Sequence, residues 1–250
     1  MSDDLRICAL VPTYDNPMTV QRVVEQVCEH VPVVIVVDDG SHEPARQVLD
    51  RLANVSGVVL LRHEHNRGKG AAVKTGLREA AARGFTHALQ VDADGQHELR
   101  DIPRFLDCAR KQPRALVLAS PSFDETRPAG RDFGHWLTSF WTRIEVGSSA
   151  IADPQCGFRV YPVADTQAVT VRGNRMDFDI EIAVRLCWHG TPVVNLPTRV
   201  RYLQASEGGV SHFHMGADNL LISWMHTRLT VLAIVRWLLR PFRSKGRGGG

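Results

Sequence analysis

Three clusters of polar residues follow short apolar runs in the first half of this 250-residue chain, and each carries side chains capable of chemistry. Pro12, Tyr14 and Asp15 follow the run 7–11. Asp38, Asp39, Gly40 and Ser41 follow the run 33–37, and Asp92, Ala93, Asp94, Gly95, Gln96 and His97 follow the run 88–91. Asp-Gly after a strand is ordinary turn chemistry, so one such cluster says little. Three with the same placement point to one shared edge. Asp92 and Asp94 are two residues apart, so in extended backbone their carboxylates share a face and can converge on one hard cation. Oxygen donors select Mg2+ or Mn2+ over zinc, Gln96 adds a neutral third oxygen, and two carboxylates leave positions open for a substrate diphosphate. Gly68, Lys69 and Gly70 open a predicted helix whose N-terminus can face anionic groups. They do not form a Walker loop, because the following Ser or Thr and the spaced upstream Gly are missing. A solvated lysine at a helix start accounts for Lys69 equally well.

The elements that must carry these clusters alternate. Apolar runs at 7–11, 33–37, 58–61, 88–91 and 116–119 are separated by helical spacing over 17–30, 43–54, 69–83 and 99–111. Near-continuous apolar strands joined by helices predict an α/β fold with a mostly parallel sheet covered on both faces. Ligands of such sheets bind at the carboxyl ends of the strands, which is where the three clusters fall. The second half predicts a helix over 133–150, a strand over 157–161, a helix over 178–189 and strands over 192–195 and 198–203, followed by a glycine-containing loop. With no linker and no internal repeat, the chain reads as one domain over 5–215.

The net charge of +3 hides a division. Residues 219–250 hold six of the 30 basic and none of the 27 acidic residues, a local +6 that leaves −3 for the first 218 residues. A uniformly basic surface, the footprint of a nucleic-acid binder, is therefore absent. Cys8, Cys28, Cys108, Cys156 and Cys187 are odd in number and never form a C-x-x-C pair, so neither a disulfide framework nor a zinc site is indicated. The opening MSDDLR is acidic and the apolar stretch after it is broken by Pro12, so no signal peptide is read and the cytoplasm is the expected location.

The segments VPTYDN, VVDDGS, NRGKGAAVKTG, VDADGQH, DPQCGFRVY and GGVSH, in this order and spacing, resemble the family 2 glycosyltransferases of the GT-A fold, and most closely the branch of dolichyl- and polyprenyl-phosphate sugar synthases. The resemblance covers about residues 5–215. It implies inverting transfer of a sugar from a nucleotide donor (UDP-, GDP- or dTDP-linked) with Mg2+ or Mn2+. It also implies nucleoside contacts from Pro12, Tyr14, Asp15, Asp39 and Ala93, with Asp92 facing ribose and metal, Asp94 and Gln96 ligating the metal, and Lys69 near the donor. Asp94, Asp153 and Arg159 become the candidate catalytic residues. Cys156 reads as packing, since inverting transfer needs no covalent intermediate. Two departures stand out. PTYDN places its acid one position earlier than the family form PTYNE. Ala119-Ser120-Pro121-Ser122 stands where the family carries an arginine after the fifth strand, which leaves Arg127, Arg131 and Arg159 as alternative phosphate clamps.

On the acceptor side, Ser211 and His212 resemble the GxSK-like acceptor loop with histidine in place of lysine, a group that titrates near neutrality. A lipid-phosphate acceptor is already anionic and needs no general base. A hydroxyl acceptor would need one, and Asp153, Asp179 and Glu181 are the candidates. Asp179 and Glu181, two apart at a helix start, cannot share a face. Residues 216–243 predict an amphipathic helix, and 244–250 a tail. At about 100° per residue, Arg236, Arg240 and Arg243 fall within about 60° of one another, while Leu, Ile, Val and Trp fill the remainder. Such a helix either lies in a membrane interface with Trp224 and Trp237 as anchors or packs on the sheet or a partner copy.

Overall fold

The computed structural model describes residues 5–123, 131–201, 203–204 and 215–244. Among them, seven strands share one sheet: β1 (Ile7–Thr13), β2 (Val34–Asp38), β3 (Val58–Arg62), β4 (His87–Gln90), β5 (Leu116–Phe123), β6 (Arg159–Pro162) and β7 (Val193–Val200). Their order is β3-β2-β1-β4-β6-β5-β7. β6 runs antiparallel to β4 and β5, and the other pairings are parallel. The sheet is therefore mostly parallel, as the alternating pattern predicts, and β1, β2 and β4 end at the same edge.

Alternation along β1 divides the core. Ala9 and Val11 face a layer built with α1 (Val20–Cys28), α2 (Ala45–Leu52) and α4 (Ile102–Lys111). Cys8 and Leu10 face the opposite layer, built with α3 (Lys69–Ala82), α7 (Asp177–His189) and the first half of α8 (Met215–Ser244). α5 (Arg131–Val146) packs against α7 and α8.

Three expectations are corrected, and one short helix goes unforeseen. The two strands predicted over 192–195 and 198–203 are one strand, β7, which runs through Pro197. β7 lies at the sheet edge, where a residue without an N–H breaks no ladder. The helix predicted over 133–150 ends at Val146, where Gly147 turns to φ 73°. The helix expected from 99 begins as a 3-10 turn, Leu99–Asp101. α6 (Val163–Ala168), six residues after a short strand, has too few turns to show a periodicity.

α3 lies close to β1 because Gly76 has no side chain. A Cβ there would stand 2.0 Å from Leu10 Cδ1, in a side chain with no solvent exposure. Gly76→Val is expected to cost about 2–3 kcal/mol by overpacking, read as a lowered urea midpoint. An unchanged midpoint would show that this contact can relax.

Candidate active site

The edge where β1, β2 and β4 end gathers the predicted residues with different degrees of engagement. Pro12 is buried inside β1, in register with Val37 of β2. Asp15 sits at φ 47° just beyond it, its amide donating to Ser41 Oγ (3.0 Å) and its carboxylate accepting from the His42 amide (2.7 Å) and facing the His42 ring (3.1 Å). Tyr14 stands edge-on to the same ring at 6.1 Å between centroids. These contacts tie the first loop to the second and leave Tyr14 partly exposed.

Asp39 is buried and organises the third loop. It accepts from the amides of Arg67 (3.0 Å) and Gly68 (2.7 Å) and pairs with His63 Nδ1 (2.6 Å). Gly68 holds φ 97°, which only glycine adopts readily, and thereby aims the start of α3 at β4.

Lys69 is not a solvated lysine. Its Nζ reaches Asp92 Oδ2 at 2.7 Å and Asp179 Oδ2 at 2.8 Å. Burial alone would push its pKa down, but the two carboxylates override burial and hold it well above the ordinary lysine value. For Asp92, burial would raise the pKa, yet Lys69 and then His97, at 3.6 Å, hold it far below the usual carboxylate range. Asp94 differs: burial, and then the charge of Asp92, raise its pKa. The two carboxyls do not share a face of an extended strand, because residues 93–95 form a turn. The Asp94 carboxylate accepts from the Gln96 amide (3.0 Å), and the buried Ala93 offers its carbonyl to Thr19 Oγ1 (2.6 Å).

The chemistry of these donors suits a hard cation: Asp94 is a carboxylate with too little compensating charge, and Gln96, two residues on, carries a neutral side-chain amide oxygen. No three His, Cys, Asp or Glu side chains among the described residues are arranged to hold a metal, so a cation here needs substrate oxygens to complete its shell.

The segment 153–159 closes over Asp92. A Cβ at Gly157 would stand 2.1 Å from Asp92 Oδ2, so only glycine fits against that carboxylate. Asp153 is a loop anchor, accepting from the amides of Gln155 (2.7 Å) and Cys156 (3.2 Å), with His135 of α5 at 3.7 Å. Arg159 is 0% exposed. It donates to the carbonyls of Pro154, Cys156 and Asp179, and its carboxylate neighbour is Asp179 at 3.7 Å rather than Asp153. The expectation of Arg159 as a phosphate clamp is corrected accordingly: it is a core cation that shapes this loop. Ser211, His212 and Arg127 lie outside the described residues.

The sequence reading left His97 out of the site, although it stands in DADGQH. Its ring is buried, leans on Phe158 (centroids 5.5 Å) and has its pKa raised well above the usual value: burial opposes this, while Cys156 and Asp92 drive it. The sequence offers Asp179 only as a candidate base. Its pairing with Lys69 is a contact between α7 and α3 that no sequence spacing reveals.

A mostly parallel sheet with carboxylates and a buried lysine gathered at its carboxyl edge defines an α/β protein whose ligand site is expected at that edge. The Glycosyl transferase family 2 model matches residues 8–159, more than half of the chain, and the chain belongs to that family and is a glycosyltransferase. It is 27% identical over 205 residues to undecaprenyl-phosphate mannosyltransferase of Micrococcus luteus, covering 77% of this chain and 82% of that one. To polyprenol monophosphomannose synthase of Mycolicibacterium smegmatis it is 26% identical, covering 97% of this chain and 91% of that one. Among solved structures, UDP-bound glucosyl-3-phosphoglycerate synthase of Mycobacterium tuberculosis superposes with a TM-score of 0.70 at 16% identity, over 91% of this chain and 80% of that one. That likeness shows the GT-A-like fold.

Lys69→Met removes the shared cation of two buried carboxylates, an expected loss of about 3–5 kcal/mol near neutral pH. In the wild type, Asp92 is depressed, so its contribution holds above the unfolded value of about 3.9 and fades only as pH falls below it. In the variant Asp92 keeps only His97 as a cationic partner and Asp179 only Arg159, so both carboxyls titrate higher than in the wild type and the stability deficit should shrink as pH drops from 7 to 5. Urea melts at both pH values read the slope, and a slope equal to wild type would contradict the pairing.

Proposed function

We propose that this glycosyltransferase moves a sugar from a nucleotide-sugar donor to a lipid-linked or lipid phosphate, with inversion and with Mg2+ or Mn2+, at the cytoplasmic face of the membrane. The carrying observation is the asymmetric carboxylate pair, Asp92 neutralised by Lys69 and Asp94 not. A divalent cation on Asp94 and Gln96, shared with the diphosphate, would stabilise the leaving group as negative charge develops there. Around it, Pro12, Tyr14, Asp15, Asp39 and Ala93 form the nucleoside side of the edge, and Asp92 with Lys69 forms its floor. Displacement at the anomeric carbon passes through an oxocarbenium-like state.

The carboxylates favour an anionic acceptor. Asp153 is engaged by two amides, Asp179 by Lys69, and Glu181 by Arg228 at 2.9 and 2.8 Å and Arg185 at 2.9 Å. Asp153 and Glu181 are held by these partners and Asp179 is paired with a cation, whereas a phosphate acceptor arrives already charged and needs no base. The lipid-phosphate substrates in the relatives' names support the same reading. One observation favours the second reading, a soluble or carrier-bound hydroxyl acceptor: Asp179 Oδ1 is buried without a hydrogen-bond partner among the described residues and could serve as base.

For the membrane contact, the predicted alternatives for the C-terminal helix combine. Ile222, Met225 and Leu229 of α8 are buried against the core, and Arg236 donates to the Trp188 carbonyl (2.9 Å). Trp224 and Trp237, each 67% exposed, with Val231, Ile234 and Leu238, face outward, as do Trp136 and Phe140 of the adjoining α5. No helix among the described residues is long and apolar enough to cross a membrane. The outward apolar skin supports peripheral seating in a lipid interface, with the basic tail drawn to anionic lipid.

Incubation with UDP-, GDP- and dTDP-sugars, polyprenyl phosphate and Mn2+ should move label into solvent-extractable lipid. EDTA or Asp94→Ala should cut this at least a hundredfold, the scale of a lost electrostatic stabiliser. Full activity of both preparations would sink the metal assignment, and transfer only to hydroxyl acceptors would establish the second reading. Trp237→Asp with Ile234→Asp should abolish co-sedimentation with vesicles containing anionic lipid; undiminished binding would contradict the seating.

A further inference from the structure

Asp179 and Glu181, two residues apart on α7, face opposite ways. Asp179 meets Lys69 at the donor edge. Glu181, with no solvent exposure, accepts both guanidinium arms of Arg228 from α8 (2.9 and 2.8 Å), the Arg185 side chain (2.9 Å) and the amides of Arg172 (3.1 Å) and Gly173 (2.9 Å). The segment 172–175 therefore hangs from the carboxylate that α8 neutralises. A second tie joins Arg175 Nε to Asp218 of α8 at 2.9 Å.

The other side of that segment is the first turn of α3. The Asn174 carbonyl accepts from the Ala71 amide (3.0 Å), and its side-chain oxygen accepts from Lys74 (2.9 Å). No slack exists between them. A Cβ on Gly68 would stand 2.4 Å from the Asn174 carbonyl oxygen, and one on Gly70 2.9 Å from the Asn174 carbonyl carbon and 2.3 Å from Phe178 Cβ. Lys69 lies between these two glycines. A shift of 172–175 is thus a shift of the backbone that carries Lys69, and through it of Asp92.

We propose that Arg228 is a positioning residue for the donor site: through Glu181 it holds the segment 172–175 against the first turn of α3 and so fixes Lys69 against Asp92. The donor assignment comes from the function proposed above; the mechanical link does not depend on it. Residues 170–175 have no regular structure, so when Glu181 loses its main cation this segment is the element free to readjust around the remaining charge. The helix that bears the outward apolar skin is thereby coupled to the donor site through Arg228.

The test compares wild type, Arg228→Met, Arg228→Lys and Thr227→Ala, an exposed neighbour on the same helix. Calorimetry reads the affinity for Mn2+ with UDP, GDP or dTDP, whichever the wild type binds, and hydrogen exchange of the ligand-free proteins reads amides 69–75 and 172–179. Arg228→Met should bind about tenfold more weakly and exchange faster in both segments while 34–38 is unchanged. Arg228→Lys should recover part of each effect, and Thr227→Ala should match wild type. A purely structural role would lower the melting temperature but leave the affinity within twofold and the exchange of 69–75 unmoved, and that result overturns the proposal. If Arg228→Met does not fold, Asp218→Asn, which loosens the second tie, decides by the same two readouts. If the wild type binds none of the three nucleotides, the donor reading fails and the exchange of 69–75 alone decides this one.

Discussion

One ammonium between two carboxylates, Lys69 between Asp92 and Asp179, determines what the rest of the edge can do. Each carboxylate belongs to a different element, Asp92 to the turn after β4 and Asp179 to the first turn of α7. Burying either alone would be unfavourable by several kcal/mol, and burying both against one cation ties strand, turn and helix at a single point. It also makes the two acids of DADGQ unequal. Asp92 stays ionised as part of the framework, while Asp94 keeps an unbalanced charge that a cation and a diphosphate can share.

The framework around that point is built to prevent drift. Gly68, Gly70 and Gly157 sit where any side chain would strike Asn174, Phe178 or Asp92, so their backbones lie directly against these neighbours. Arg159 collects the carbonyls of the 153–158 loop from below, and His97 leans on Phe158 while facing Asp92. Electrostatic stabilisation of a leaving group depends on dipoles and charges that do not reorganise during the reaction. Packing of this kind supplies that rigidity. The two helices with outward apolar side chains both reach into it, α5 through His135 at Asp153 and α8 through Arg228 at Glu181.

Much of this was readable from residue order. The strands β1 to β5 announce themselves because strands buried on both faces are continuous apolar runs, and the acids placed after three of them fall at one edge because parallel strands end together. β6 pairs antiparallel over four residues, too short to carry a direction in its sequence, and Pro197 disguised β7 as two strands because a proline is tolerated only at an edge that the sequence does not reveal. Side-chain partners were harder still. Arg159 looked like a free cation because Phe158 and Val160, its apolar neighbours, equally suit an exposed strand end, and only the tertiary fold shows the three carbonyls that enclose it. Lys69 at a helix start could have pointed to solvent. Its destination depends on Asp179, 110 positions away, and such distant pairings leave no local trace. In α8, Arg228 and Arg236 turn toward α7 while Trp224, Ile234 and Trp237 turn outward, a division that the helical spacing alone does not assign.

The central claim is that Lys69 satisfies Asp92 while Asp94 is left to share a cation with a nucleoside diphosphate. Electron paramagnetic resonance of Mn2+ titrated into the protein, with and without a nucleoside diphosphate, measures this directly. The account predicts weak binding of Mn2+ alone, tight binding once the diphosphate is present, and loss of the tight component in Asp94→Asn. Equal Mn2+ affinity with and without nucleotide, or a tight component that survives Asp94→Asn, would contradict it.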